Sequence, residues 1–140
     1  MIEFFDTTVL VAAMVEDEPH HTKCAAALEG APEGYAAAHS LAECYATLTG
    51  GRLGVRLSPA DAARLIRHDI YDRLSLVSMS PADYVIQIES AGPSGARGGA
   101  TYDLLLLACA RKVKAQRIYT LNQRHFVALA PDLAAKIAVP

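Results

Sequence analysis

Short apolar segments alternate with segments of helical pattern along this chain, and this alternation restricts the possible folds more than any other feature. Residues 2–6 are apolar and end at an acid, which is typical of a buried strand leading into a helix. Further strands are predicted at 34–39, 74–79, 117–121 and around 137–139. We therefore expect an α/β fold, an α/β/α sandwich around a central, mostly parallel sheet of four or five strands.

The helices between these strands are indicated by their start signals. Ser-Pro-Ala-Asp occurs at 58–61 and again at 80–83, with a capping serine and proline at the first helical position. Thr7 and Thr8 are expected to cap the first helix, Ser40 to form a capping box with Glu43, and Thr101 to cap an apolar helix. The glycine-rich stretch 91–100 is predicted to be the one clearly flexible segment.

Length and composition favour a single globular domain, 1–140. Apolar residues make up 52% of the 140 residues and charged residues 20%, and the net charge of -2 gives no sign of a nucleic-acid partner. Three widely spaced cysteines form no CxxC pair, and no signal peptide is recognisable, so we expect reduced thiols and a cytoplasmic location. The longest apolar run, 104–110, is too short to span a bilayer, so no membrane role is expected.

Four polar residues stand near the predicted junctions between strands and helices. Asp6 ends the first strand, Glu43 lies in the helix after the second, Asp103 opens the helix before the fourth, and Asn122 follows the fourth. Ligands of open parallel sheets bind beyond the carboxyl ends of the strands, so one fold could bring all four together. Oxygen ligands of this kind suit Mg²⁺ or Mn²⁺.

Each of these residues also has an ordinary structural explanation. Asp6 could cap a helix, Glu43 could be the reciprocal partner of Ser40, and Asn122 could occupy a turn. Asp103 could simply favour the positive end of its helix. The combination carries more weight, because Asp103 flanks an otherwise apolar helix, where a carboxylate is costly unless it is paired or bound to metal.

Four segments resemble the motifs of PIN domains, in that family's order and over nearly the whole chain. They are Phe-Phe-Asp-Thr-Thr at 4–8, His-Ser-Leu-Ala-Glu at 39–43, Thr-Tyr-Asp-Leu-Leu at 101–105 and Tyr-Thr-Leu-Asn-Gln at 119–123. The compact length is similar to that of the VapC toxins of bacterial toxin–antitoxin pairs. Position by position, the resemblance makes Asp6, Glu43 and Asp103 the core acids. Asn122 stands where many members have Asp.

The resemblance implies a Mg²⁺- or Mn²⁺-dependent endoribonuclease that is held inactive by an antitoxin protein and commonly forms a homodimer. Asp6 and Asp103 would be the principal metal ligands and Glu43 a further one. The neutral oxygen of Asn122 favours one resident ion over two. Thr120 matches a polar position of the last motif and is a candidate for orienting water, and Arg124 is a candidate phosphate contact.

Three other functions compete with this one. A haloacid dehalogenase needs a second Asp two residues after the first, and Thr8 stands there. A dinucleotide-binding fold needs GxGxxG after the first strand, which this chain lacks. A degenerate PIN fold that acts as a scaffold or RNA-binding module without metal stays open because of Asn122.

Overall fold

A computed structural model describes residues 1–51, 54 and 56–140 and shows one five-stranded sheet. The strands are β1 (Ile2–Phe5), β2 (Glu33–Ala37), β3 (Ser75–Val77), β4 (Arg117–Tyr119) and β5 (Ile137–Ala138). They lie in the order β3-β2-β1-β4-β5, and every neighbouring pair is parallel. The predicted α/β fold with a mostly parallel sheet is therefore confirmed.

Helices connect the strands, as parallel pairing requires. In the described part of the chain the α-helices are α1 (Thr7–Met14), α2 (His21–Glu29), α3 (His39–Gly50), α4 (Pro59–Ile66), α5 (Pro81–Ser94), α6 (Ala100–Lys112) and α7 (Gln123–Leu129). A π-helical turn, Arg67–Tyr71, extends α4, and a 3₁₀ helix, Pro131–Lys136, precedes β5. Neither of these two elements was predicted.

Two hydrophobic cores lie on opposite faces of the sheet. Consecutive strand residues point to opposite faces, so Phe4 joins one core with Leu106 of α6, while Phe5 joins the other with Leu10 of α1. Both phenylalanines are completely buried. A sheet covered on both faces explains why consecutive residues of β1, Phe4 and Phe5, are both apolar instead of alternating with polar ones, and it gives the predicted sandwich.

The two Ser-Pro-Ala-Asp signals begin helices as predicted. The Ser58 hydroxyl accepts a hydrogen bond from the Asp61 backbone N–H at 3.1 Å. Ser80 and Asp83 form a full capping box, because the Asp83 carboxylate also accepts from the Ser80 N–H at 2.9 Å.

Three other predicted caps are wrong. Helix α1 already includes Thr7 and Thr8, α3 begins at His39, and α6 begins at Ala100, so each predicted capping residue lies inside its helix. Ser40 is fully buried, and its hydroxyl bonds to that of Thr7 at 2.9 Å instead of capping. Tertiary contacts have taken the hydroxyls of Thr7, Thr8 and Ser40, which a local pattern assigned to caps.

The prediction of a flexible loop over 91–100 is also wrong in part. Helix α5 continues to Ser94 with Pro93 in its last turn and ends at Gly95, whose φ of 80° is left-handed. Ala96 is buried, and its N–H donates to the Ala91 carbonyl at 2.9 Å. The non-helical connection is thus limited to residues 95–99.

The remaining composition-based expectations concern thiols and membranes. All three cysteines are buried free thiols. In the stretches that the structure covers, helices fall short of the length and hydrophobicity that a bilayer crossing needs.

Candidate active site

One cavity of about 350 Å³ brings together the four residues singled out in the sequence. Asp6 follows β1, Glu43 lies in α3, Asp103 is in the first turn of α6, and Asn122 immediately precedes α7. Since the strands are parallel, their carboxyl ends meet at one edge of the sheet, where these side chains line the same space.

Asp6 is held in place by two threonine hydroxyls. Its Oδ2 accepts hydrogen bonds from Thr8 Oγ1 at 2.7 Å and from Thr120 Oγ1 at 2.8 Å. The aspartate is 1% exposed and Thr120 is fully buried. The carboxylate therefore has one fixed orientation, and one of its two oxygens is used in hydrogen bonds to the protein.

The same two hydroxyls fasten the loop that carries Asn122. Thr8 Oγ1 accepts from the Leu121 N–H at 3.1 Å, and Thr120 Oγ1 accepts from the Asn122 N–H at 3.0 Å. Each hydroxyl donates to Asp6 and accepts from the backbone, so its hydrogen-bonding capacity is used in both directions. Thr120 lies behind Asp6, where these contacts fit a positioning role.

Burial and electrostatic repulsion make Asp6 and Asp103 reluctant to ionise. Burial raises the pKa of Asp6, and hydrogen bonds from the threonines only partly oppose this. The pKa of Asp103 is raised to about 6, first by burial and then by the charge of Asp6, while His125 opposes the rise. The charge of Glu43 adds a smaller increase. A cation placed among these groups would remove the cause of the repulsion.

Histidines contact two of the acids at the rim of the cavity. His39 Nδ1 lies 2.7 Å from Glu43 Oε1, and its ring stacks on Tyr102 at a centroid distance of 5.5 Å. His125 Nε2 lies 3.1 Å from Asp103 Oδ2. The pairing of either histidine with an acid depends on tertiary structure, so no motif of the sequence predicted it.

Two further polar residues of the cavity were missed from the sequence. Glu18, from the turn between α1 and α2, and Thr47, one turn after Glu43 on α3, both line it. The spacing of Thr47 from Glu43 was a usable signal, because residues four apart share a helix face. Arg124 lies outside this cavity, on an adjacent open depression with Asn122 and His125.

The oxygen donors of the cavity fit a hard divalent cation that keeps part of its water shell. Within residues 1–51, 54 and 56–140, no three His, Cys, Asp or Glu side chains are already close enough to hold an ion by themselves. The acids instead line the walls of a space that also has room for water. Mg²⁺ takes one or two carboxylates and several waters, so this arrangement suits it better than Zn²⁺, which prefers closed sites with sulfur or nitrogen ligands.

Comparison with known proteins identifies the fold family. The PIN domain family model matches residues 4–130. The chain belongs to the PIN domain family. This confirms the family resemblance that rested on the four motifs, and Asp6, Glu43, Asp103 and Asn122 all lie inside the matched region of this PIN domain.

Solved structures with the same fold include two from bacterial toxin systems. VapC20 of Mycobacterium tuberculosis, a sarcin-ricin loop cleaving toxin, superposes with a TM-score of 0.71 at 17% identity, over 90% of this chain and 94% of that one. VapBC2 from Rickettsia felis, bound to a DNA fragment from its promoter, gives 0.62 at 20% identity, over 89% and 90%. A search of the curated proteins gives no match.

Replacing Thr120 by Val tests the positioning of Asp6 in this PIN domain. The change removes a donor to Asp6 and leaves the Asn122 N–H without its acceptor, which we expect to cost about 1–3 kcal/mol of stability. Loss of such a supporting contact should also weaken Mn²⁺ binding about 10–100-fold. Thr120→Ser keeps the hydroxyl and serves as the control. Urea unfolding and Mn²⁺ titration measure the two effects, and equal behaviour of the Val and Ser variants would contradict the positioning role.

The raised pKa values predict that the metal-free PIN domain becomes more stable as the pH falls from 7.5 to 5.5. The pKa of Asp103 is about 6 in the folded chain against 3.8 as the ordinary value. Between these values the folded state binds a proton that the unfolded state does not, so stability rises as the pH falls and the gain is complete below 3.8. Asp6 shifts in the same direction.

Urea midpoints in EDTA at the two pH values measure this dependence. Asp103→Asn is the matched control, because the amide does not titrate and the rise should be smaller in that variant. The same slope in both proteins would show that Asp103 ionises normally and would contradict the electrostatic description of the site.

Proposed function

We propose that this PIN domain is a Mg²⁺- or Mn²⁺-dependent endoribonuclease and the toxin of a toxin–antitoxin pair. The observation that carries the proposal is the convergence of Asp6, Glu43 and Asp103 on one cavity at the carboxyl ends of the parallel strands. The fold shared with a toxin that cleaves the sarcin-ricin loop supports RNA as the substrate class.

The energetics of the cavity favour a working site over a scaffold that has lost its metal. Asp6 is almost completely buried without a cationic partner among its described contacts, and its raised pKa shows that the charged form is disfavoured. Asp103 is repelled by both other acids. Buried charges of this kind destabilise a fold unless they are compensated, so a scaffold would gain stability by replacing them.

Different residues of the site would have different roles in a nuclease reaction. When bound, a divalent ion supplies a water of lowered pKa and stabilises negative charge on the phosphodiester. Asp6, fixed by two threonines, and Asp103 at the start of α6 would be the principal ligands, with Glu43 as a further one. His125 and His39 keep Asp103 and Glu43 oriented, and Arg124 on the adjacent depression would contact a phosphate of the RNA.

Asn122 sets the expected number of ions. Its amide lines the same cavity as the acids but adds no charge, so this position offers a neutral oxygen where a carboxylate would help to hold a second ion. We expect one Mn²⁺ per chain in a calorimetric titration and a second, weaker one in Asn122→Asp. A saturable stoichiometry of two in the unaltered chain would contradict the single-ion site, and the absence of any saturable binding would favour the scaffold alternative.

The partners that we propose follow from the toxin function. A toxin of this type needs an antitoxin protein to restrain it, and VapBC2 of Rickettsia felis is a fold relative from such a pair. We propose such a partner, a homodimeric assembly and action in the cytoplasm, where RNA is accessible.

Induced expression in bacteria tests the toxin function. The unaltered chain should arrest growth and produce discrete RNA fragments, whereas Asp103→Asn, expressed to the same level, should do neither. Glu29→Gln, on the exposed end of α2 away from the cavity, serves as the control and should remain toxic. Equal growth in all three cultures would contradict the toxin function, and equal arrest by Asp103→Asn would contradict a catalytic cause.

A further inference from the structure

A second cavity, of about 160 Å³, lies at the same edge of the sheet. It is next to the cavity lined by Asp6, Glu43 and Asp103, which we call the acid cavity. We call the second cavity the β3 cavity, because it is formed by the residues that follow β2 and β3 and by one face of α6. His39 belongs to its wall and also contacts Glu43 of the acid cavity. Leu105 belongs to its wall and lies two residues after Asp103. The two cavities therefore share a wall, to which His39 and Leu105 belong.

The β3 cavity has an apolar floor and an aromatic mouth. Val77, Leu106 and Cys109 are buried at the floor. His39 is half-buried at the mouth, and Ser78 and Tyr84 are exposed there. A flat, mainly apolar group could enter from solvent, place its rings on the floor and keep its polar edge near the histidine and the hydroxyls.

The ring of His39 is fixed from two sides. Its Nδ1 is engaged by Glu43 at 2.7 Å, and its face stacks on Tyr102 with an angle of 9° between the rings. Tyr102 itself is 51% exposed, although it neighbours Asp103. An aromatic ring that is already oriented loses little freedom when a second ring stacks nearby, which favours binding.

We infer that the β3 cavity binds one base of a single-stranded RNA whose neighbouring phosphate lies at the acid cavity. The inference rests on the proposed ribonuclease function and extends it to substrate recognition. Unpaired bases are commonly bound by stacking on aromatic side chains and by hydrogen bonds to their edges. Aromatic residues are only 6% of this chain, yet Tyr84 and Tyr102 both lie at this edge.

The volume of the cavity supports a base over a larger ligand. Pockets for drug-sized molecules usually measure about 300–1,000 Å³, whereas 160 Å³ suffices only for a single small ring system. The net charge of -2 also agrees with recognition that depends on a base as well as on phosphates. A base in this cavity would select which phosphodiester is presented to the acids, so the β3 cavity would contribute to cleavage specificity.

The test measures binding of RNA octamers to Asp103→Asn, which is expected not to cleave them. Fluorescently labelled single-stranded octamers of A, of U, of C and of mixed sequence with G are used. Each octamer is also prepared as a series in which a single abasic residue occupies each position of the strand in turn. For the best-bound octamer, we expect the abasic residue at one position to weaken binding about fivefold or more, the loss of one stacked base. Fluorescence anisotropy gives the dissociation constants.

A matched pair of tyrosine variants assigns the effect to the β3 cavity. Adding Tyr84→Ala should reduce the difference between the intact and the abasic octamer, since one of the two aromatic rings that line the cavity is gone and only that of His39 remains. Adding Tyr71→Ala should leave the difference unchanged, because Tyr71 is an exposed tyrosine of the π-helical turn and does not line the β3 cavity. A positional effect that Tyr84→Ala leaves undiminished, or the lack of any positional effect, would overturn the inference.

The outcome is separable from that of the proposed nuclease function. One outcome is that the unaltered chain cleaves RNA with Mg²⁺ while no position of the octamer shows an abasic effect that depends on Tyr84. In that case the proposed base site is wrong and the proposed nuclease function is supported. If the position is found and the unaltered chain cleaves no RNA, the base site stands and the nuclease proposal fails.

Discussion

Asp6→Asn is expected to abolish Mn²⁺ binding and to reduce RNA cleavage by more than about a hundredfold, while the chain stays folded. The asparagine oxygen can still accept hydrogen bonds from Thr8 and Thr120. The two hydroxyls can therefore still accept the backbone hydrogen bonds that hold the loop before α7. The amide carries no negative charge and is a poor ligand for a hard cation. Even supporting residues of metal sites cost about 10–100-fold when they are lost, so a principal ligand should cost more.

The same substitution should leave the metal-free protein as stable as the unaltered chain or more stable. Burial raises the pKa of Asp6, which means that the fold carries a penalty for the charge at neutral pH. A neutral side chain of the same shape removes that penalty. Thermal unfolding in EDTA and with Mn²⁺ measures both effects: the ion should raise the midpoint of the unaltered chain and leave that of Asp6→Asn unchanged.

Asp17→Asn is the control for this experiment, because Asp17 is an exposed acid outside the cavity. It should retain binding, cleavage and stability. A clear loss of stability in Asp6→Asn, together with retained cleavage, would mean that Asp6 serves the fold and not the reaction.

Phe126→Ala has the largest expected effect on stability, about 3–5 kcal/mol. Phe126 is completely buried in the core on the α6 side of the sheet and fixes α7 to it. The same helix begins after Asn122 and carries His125, the partner of Asp103. Truncation would leave a cavity under the helix, since close-packed surroundings relax only partly around a lost ring.

Denaturant unfolding measures this loss, with Arg124→Ala on the same helix as the control. Arg124 is exposed, so its truncation should change the free energy of unfolding by no more than about 0.5 kcal/mol. Similar losses in the two variants would show that α7 is not anchored through Phe126.

The fold was predictable because its signals are local. A buried strand at the first residues, two cap-proline helix starts and an apolar α6 each follow from neighbouring residues, and they suffice for an α/β sandwich. The predicted cap at Ser40 is wrong for the opposite reason. The burial of Ser40 against Thr7, 33 positions away, decides where its hydroxyl bonds.

The acids of the site could be predicted as a set, but their supporting contacts could not. Parallel strands end at one edge, so Asp6 and Asn122 were expected to lie close together, and both line the acid cavity. That Thr8 and Thr120 fasten Asp6 to the loop before α7 depends on hydrogen bonds spanning 113 and 114 positions. Glu18 reaches the cavity from a turn that carries no motif.

Cleavage of labelled RNA by the purified chain, with Mg²⁺ or Mn²⁺ and with excess EDTA, tests whether the chain is a metal-dependent nuclease. We expect discrete fragments with either ion, no cleavage with EDTA, recovery when the ion is restored in excess, and no cleavage by Asp103→Asn purified in the same way. Cleavage that persists in EDTA, or that Asp103→Asn carries out at the rate of the unaltered chain, would contradict a metal-dependent nuclease centred on these acids.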